Sequence, residues 1–232
     1  MLREKQKQGL FLYLVLAGLF IAFLVSSNLI FQKFFFWAPF AFLGITYTFE
    51  ISVGIIPYPI TFLITDFISE IFGKRKADYV VYAGIFATLF ILALIFLAEV
   101  APATEWSPIG NETFSKVFGF TALAVFASMI AYLVAQLIDI RIYHFWKKLT
   151  NGRHLWLRNN FSTMTSQFVD TFTVLFLLGL FGVIEWERFN LLLINGFLFK
   201  VIVAALDTPV LYLLVFQARK FFSIKANEEF EF

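Results

Sequence analysis

Pro59-Ile60-Thr61-Phe62-Leu63-Ile64-Thr65-Asp66-Phe67-Ile68-Ser69-Glu70-Ile71-Phe72-Gly73-Lys74-Arg75-Lys76 is the stretch on which the fold turns. It is apolar enough for a membrane, yet Asp66 and Glu70 interrupt it and three cations end it. A helix from about Pro59 to Phe72 rises only about 21 Å, while a hydrocarbon core is about 30 Å thick. It is too short to cross alone, so its role must be read from what flanks it.

The flanks are long charge-free or nearly charge-free runs. Gln8 to Gln32, Tyr79 to Ala98 and Val117 to Ile138 carry no charge, Asn159 to Ile184 carries Asp170 alone, and Phe189 to Ala218 carries Lys200 and Asp207. A crossing helix needs about 20 mostly apolar residues, so these are five spans. The first is too long for a cleaved leader, and Ser26-Ser27-Asn28-Leu29 is a poor cleavage site. Lys and Arg favour the cytoplasmic side. They cluster at Arg3–Lys7, at Lys74–Lys76, between Arg141 and Arg158, and at Arg219–Lys225, whereas only Lys33, Lys116 and Arg188 occupy the alternate loops. Lys74–Lys76 therefore shares a side with the N-terminus, and Lys33 to Ile71 makes one net crossing. The expectation is an all-α membrane protein. It is one domain over 1–232, with six transmembrane helices at roughly 9–31, 57–73, 78–99, 117–140, 159–184 and 189–217 and both termini cytoplasmic.

Upstream of the short helix, Ile45 to Val53 alternates apolar and polar residues, which is strand period. Leu43-Gly44 separates it from Phe34–Phe42, so a β-hairpin is expected between the first two helices. It either tucks into the bundle or caps its outer mouth, or else the segment is an ordinary external loop. Strands are tolerated at membrane depth only when buried in protein or lining a cavity.

Composition agrees. Of 232 residues, 60% are hydrophobic and 15% charged, against about 45–50% and about 25% in soluble domains. Zero Cys excludes a disulfide scaffold and a thiolate metal site, two His leave little for a histidine metal centre, and a net charge of +2 does not suggest nucleic acid. No metal or cofactor is expected.

Charges inside spans are costly and usually face the bundle interior. Asp66 and Glu70 lie one turn apart on one face, with Thr61 and Thr65 extending it; Glu70 could instead pair with Lys74–Lys76. Gln136 and Asp139 lie on the fourth span, where Asp139 could be a surface partner of Arg141. The fifth span carries a polar stripe, Thr163, Ser166, Gln167 and Asp170, with Arg158 and Asn159-Asn160 at its start. Lys200 and Asp207 share a face of the sixth and could pair with each other or elsewhere, and Asn28 adds an amide near the outer end of the first. The stripe could be mere packing, but its central carboxylate favours a water-filled cavity. A carboxylate accepts two parallel N–H bonds, as the lactam N–H and exocyclic amine of a guanine-type base present them, and aromatic rings stack on such a base.

Ile64 to Arg75, with Ser26-Ser27-Asn28, Gln136-Leu137-Ile138-Asp139, Ser166 to Thr171 and Phe199-Lys200-Val201, resembles the pattern of the queuosine precursor transporter family, a vitamin-uptake-like group of integral membrane proteins. The likeness runs in order from about Ser26 to Leu214. It implies import of 7-deazaguanine bases, the 7-cyano and 7-aminomethyl forms, through a multi-pass protein of the cytoplasmic (inner) membrane. Carried over residue by residue, it implies a substrate site of Asp66, Glu70, Gln167, Asp170 and Lys200, with Asn28 and Gln136 near it and Asp170 first to grip the guanine-like edge; Asp207, on the Lys200 face of the sixth span, is counted with the site as well.

Three other classes compete. The chain could be the substrate-binding subunit of an energy-coupling-factor complex, or a homodimer, through a small-residue face at Gly18 and Ala22; it has no Gly-x-x-x-x-Gly-Lys-Ser/Thr loop and so no ATPase of its own. An intramembrane enzyme would want a nucleophile–base pair or metal ligands in the bilayer, and His144 and His154 lie in the basic loop instead. A channel would want a repeated ring of like groups rather than acids, amides and one Lys. The expectation is a carrier and not an enzyme.

Overall fold

The computed structural model describes residues 2–31, 33–39, 47–119, 121–182, 184–225 and 228–232. Helix α1 (Leu2–Ile30) is followed by strands β1 (Phe34–Trp37) and β2 (Phe49–Ser52), a 3-10 turn at Val53–Ile55, and helices α2 (Tyr58–Ile71) and α3 (Lys74–Val100). A short helix α4 (Asn111–Phe114) and a π-helical turn (Ser115–Gly119) lead into α5 (Thr121–Leu149), α6 (Leu155–Leu180) and α7 (Trp186–Phe222). The protein is mostly helical.

Five helical segments are long and apolar enough to cross a membrane among the described residues: Glu4–Ile30, Val53–Ile71, Lys74–Val100, Leu155–Leu180 and Trp186–Phe222. Their outward faces are apolar, as suits a surface that meets lipid tails, and leave Phe11, Phe86, Phe90, Phe96 and Phe216 exposed. In Val53–Ile71, the segment that holds α2, the relation inverts: 72% of its most apolar stretch is buried, against 17–39% for the other four. Helix α2 is the central element, packed by α1, α3, α5 and α7, and only Ile60 and Leu63 within it escape full burial.

The hairpin is present. Strands β1 and β2 are antiparallel, with Phe34 opposite Ser52 and Trp37 opposite Phe49; the turn expected at Leu43-Gly44 lies outside the described residues. Inward-facing Phe49 and Ile51 pack with Phe199 of α7, and Trp37 meets the Phe199 ring edge-on at 5.2 Å. Ser52 ties the hairpin to the end of α1 by donating to the Phe31 carbonyl. Gly54 lies so close to Ser27 and Phe31 of α1 that a Cβ there would fall 2.6 Å from the Ser27 carbonyl oxygen.

Gly73, at φ 90°, breaks the chain between α2 and α3, a conformation that costs glycine nothing. Both termini lie at this end: Lys5 Nζ donates to Ser223 Oγ, and Phe230 N donates to Ile71 O at 2.7 Å. Phe72 is surrounded by Tyr13, Phe222, Phe230 and Phe232, and Lys76 Nζ sits 3.9 Å from the Phe232 ring centre.

Helix α6 begins earlier than expected. His154 precedes its first residue, Leu155, so Arg158 and Asn159 are buried helix positions rather than a cap.

Candidate functional site: a cavity under the hairpin and a polar file below it

The hairpin roofs a cavity of about 160 Å³. Its walls come from α1 (Ser27, Asn28, Phe31), the hairpin (Phe34, Glu50), α2 (Tyr58), α5 (Ser128), α6 (Asp170, Thr171) and α7 (Gly196, Lys200). Its floor is a closed set of bonds. Lys200 Nζ donates to Asp170 Oδ2 at 2.7 Å and to Thr171 Oγ1 at 2.9 Å, and Tyr58 donates to Asp170 Oδ1 at 2.6 Å. The Lys200 ammonium also sits 4.6 Å from the Tyr58 ring centre. Higher up, Asn28 Nδ2 and Ser27 Oγ are buried without a partner among the described residues, and Glu50 makes only a loose 3.8 Å pair with Arg188. Such orphaned polar groups are uncommon and call for a partner.

Below the floor the polar stripe of α6 continues as a buried file. Gln167, 1% exposed, has no partner at either end of its amide among the described residues. Beside it, Thr65 Oγ1 donates to Gln136 Oε1 at 3.3 Å, and Gln136 Nε2 donates to Tyr132 Oη at 2.5 Å. Next come two carboxyls, with Thr163 donating to Asp66 Oδ2 at 3.3 Å and Ser166 to Asp139 Oδ1 at 2.9 Å.

The file ends on Glu70, which is wholly buried. Arg158 Nη2 donates to its Oε1 at 2.6 Å, Tyr143 to its Oε2 at 2.9 Å, and Lys147 Nζ lies 3.6 Å from Oε2. Arg219 also donates to Oε1. Arg158 further donates to the Gly152 carbonyl at 2.8 Å. One carboxylate thus ties α2 to α5, α6 and α7 at the end where both termini lie.

The expected site residues therefore fall into two groups. Asn28, Asp170 and Lys200 line the cavity, with Gln167 one turn below Asp170. Asp66, Gln136 and Glu70 lie deeper in the file. Asp207 joins neither: it is half-buried on α7 and forms no ion pair among the described residues, because Lys200 reaches Asp170. Asp139 is no surface partner of Arg141; it is wholly buried, while the exposed Arg141 donates to the Leu137 carbonyl. Glu70 does not pair with Lys74, which takes Asp78. Sequence reasoning missed Tyr58, Glu50, Tyr143, Lys147 and Arg219. Among the described residues no group of three or more His, Cys, Asp or Glu could hold a metal ion.

The chain is 29% identical over 164 residues to a protein of Bacillus subtilis named "Probable queuosine precursor transporter", covering 69% of this chain and 70% of that one. It is 25% identical over 129 residues to a protein of Haemophilus influenzae with the same name, covering 54% and 51%. No solved structure matches. The sequence profile described as "Putative vitamin uptake transporter" matches residues 52–214, a segment that contains α2, the whole buried file, and every cavity wall but α1 and most of the hairpin. The chain belongs to this vitamin uptake transporter family, whose members are multi-pass proteins of the cell membrane.

Proposed function

We propose that this chain imports 7-deazaguanine precursors of queuosine, the 7-cyano form, the 7-aminomethyl form or both, into the cytoplasm. The observation that carries this reading is the roofed cavity with a buried carboxylate–ammonium floor. A carboxylate offers about four acceptor sites. Two of those on Asp170 are used by Tyr58 and Lys200, which leaves two for the lactam N–H and the exocyclic amine of the base. Lys200, Asn28 and Gln167 supply donors for its carbonyl and ring nitrogen. Phe31, Phe34 and Tyr58 offer rings to its faces, and Glu50 at the mouth suits a cationic aminomethyl group. Asp66, Glu70 and Gln136 lie on the route below, and Asp207 drops out of the set.

The single unit 1–232 crosses six times in this reading, with α5 as the fourth crossing beside the five segments named above. The basic end, with both termini, faces the cytoplasm, and the hairpin faces out. The Glu70 cluster closes the inner end and would part for release, giving access to each side in turn. Energy-coupling subunits are a second reading, favoured by Gly18 on α1, where a Cβ would meet nothing within 4 Å. Accumulation by the lone chain in liposomes would remove the need for them.

The test is uptake of radiolabelled 7-aminomethyl-7-deazaguanine by cells that cannot make it. Wild type should accumulate label, and Asp170→Asn should lose most of the uptake. No uptake by wild type refutes the substrate; normal uptake by Asp170→Asn refutes the site.

A further inference from the structure

The Asp66 carboxyl on α2 and the Asp139 carboxyl on α5 meet the same face of α6, where Thr163 and Ser166, three residues apart, donate to one carboxyl each. Asp66 is 2% exposed and Asp139 0%. Neither forms an ion pair among the described residues: the buried and half-buried cations nearby are engaged elsewhere, Lys200 on Asp170 and Arg158, Lys147 and Arg219 on Glu70. Hydroxyls of Thr163 and Ser166 serve one oxygen of each carboxyl, yet Asp139 Oδ2, fully enclosed, has no donor among the described residues. A buried acceptor without a donor carries a full desolvation cost, and two carboxylates sharing a site cannot both stay ionised. A proton between them resolves both problems.

Resting on the transport reading above, we propose that the Asp66–Asp139 pair is a proton-binding site that couples solute import to proton entry. The pair lies between the cavity and the closed end. On α6 the rungs run from Asp170 through Ser166 and Thr163 to Arg158, a rise of about 18 Å. The titratable groups around it are Glu70 on α2, Tyr132 and Tyr143 on α5, Asp170 and Arg158 on α6, and Lys200 and Arg219 on α7. Glu70, Asp170 and the cations are matched to one another, while Tyr132 and Tyr143 are bonded to Gln136 and Glu70. The pair is left as the place where a proton is gained or lost without breaking an ion pair. A proton taken from the hairpin side holds α2, α5 and α6 together. Once the Glu70 cluster parts, the proton leaves to the cytoplasm, and the two anions repel until another arrives from outside. Proton and solute binding favour the same closed state and so strengthen each other by one common factor.

The test uses the full chain in liposomes with radiolabelled 7-cyano-7-deazaguanine, which is uncharged and so does not respond to the gradient by itself. With the lumen one pH unit more alkaline, wild type should accumulate label up to about tenfold, since one unit is a tenfold proton ratio, and an uncoupler should abolish this. Asp139→Asn and Asp66→Asn should lose gradient-driven accumulation, while Asp139→Asn still exchanges labelled for unlabelled solute. That exchange also shows the variant is folded. Equal accumulation by wild type with and without the gradient, or full accumulation by Asp139→Asn, would overturn the proton site alone. Absence of exchange in wild type would overturn the substrate reading and the proton site with it.

Discussion

Lys200 and Asp170, on adjacent helices, form a 2.7 Å ion pair with less than 6% of either side chain exposed. Removing one partner of a buried pair costs about 3–5 kcal/mol, because the other charge is left uncompensated. Lys200→Met alone should therefore lower the folded yield and thermal stability sharply. Lys200→Met with Asp170→Asn should restore most of the stability and none of the uptake. Thermal unfolding in detergent beside an uptake assay separates the two effects.

Glu70 is the common acceptor of Arg158, Tyr143 and Arg219, with Lys147 close by. Glu70→Gln leaves three buried or half-buried cations without their counter-charge and should destabilise by about 3–5 kcal/mol. Arg158→Lys keeps the charge but loses the fork that also holds the Gly152 carbonyl, so its loss should be smaller. Comparing the two unfolding midpoints checks the order.

Much of this architecture was legible in the sequence. The long charge-free runs gave the helices, and strict alternation gave the hairpin. Interhelical partners were not legible, because spacing along one helix says nothing about the neighbour it meets. Glu70 has Lys74–Lys76 a turn away in sequence, while its partners in the structure lie between 73 and 149 residues distant. Asp139 stands two residues from Arg141, and residues two apart on a helix do not face each other, so Asp139 turns inward while Arg141 stays exposed. Asp207 shares a helix face with Lys200, yet the long flexible ammonium of Lys200 reaches across the interface to Asp170. Asn159-Asn160 looks like a helix cap in the sequence, but α6 starts at Leu155, after a left-handed His154 whose side chain makes no capping bond.

The chain has no cysteine, so single introduced thiols report topology without background. Glu105→Cys, on the exposed segment between α3 and α4, should react with a membrane-impermeant maleimide in intact cells. Lys225→Cys, just past α7, should react only after permeabilisation. The reverse pattern would invert the proposed orientation.

Phe230 and Phe232 pack on Phe72, and Phe232 also meets Tyr13 and the ammonium of Lys76. Burying a Phe side chain is worth about 1.5–3 kcal/mol when complete, and both rings are half-buried. Deleting residues 228–232 should therefore lower stability by about 2 kcal/mol, read as a drop of several degrees in the unfolding midpoint, with the cavity unchanged.

Gly54→Ala should force the hairpin away from α1, since the new methyl would overlap the Ser27 carbonyl and the Phe31 side chain. Overpacking of this kind costs about 1–3 kcal/mol. Uptake should fall more than stability does, because the displaced strands form the roof of the cavity; parallel measurement of both checks the ratio.

The crossing that begins as β-strand and finishes as the half-length α2 sets how the molecule can yield. In the proposed orientation, uncovering the cavity from outside would shift a two-stranded ribbon anchored through Ser52 and through Gly54 in the 3-10 turn that follows it. At the opposite end, four helices are knotted through one carboxylate. The resistance to motion is therefore uneven, soft at the mouth and stiff at the base, and a vessel built this way fills readily and empties only when something loosens its root.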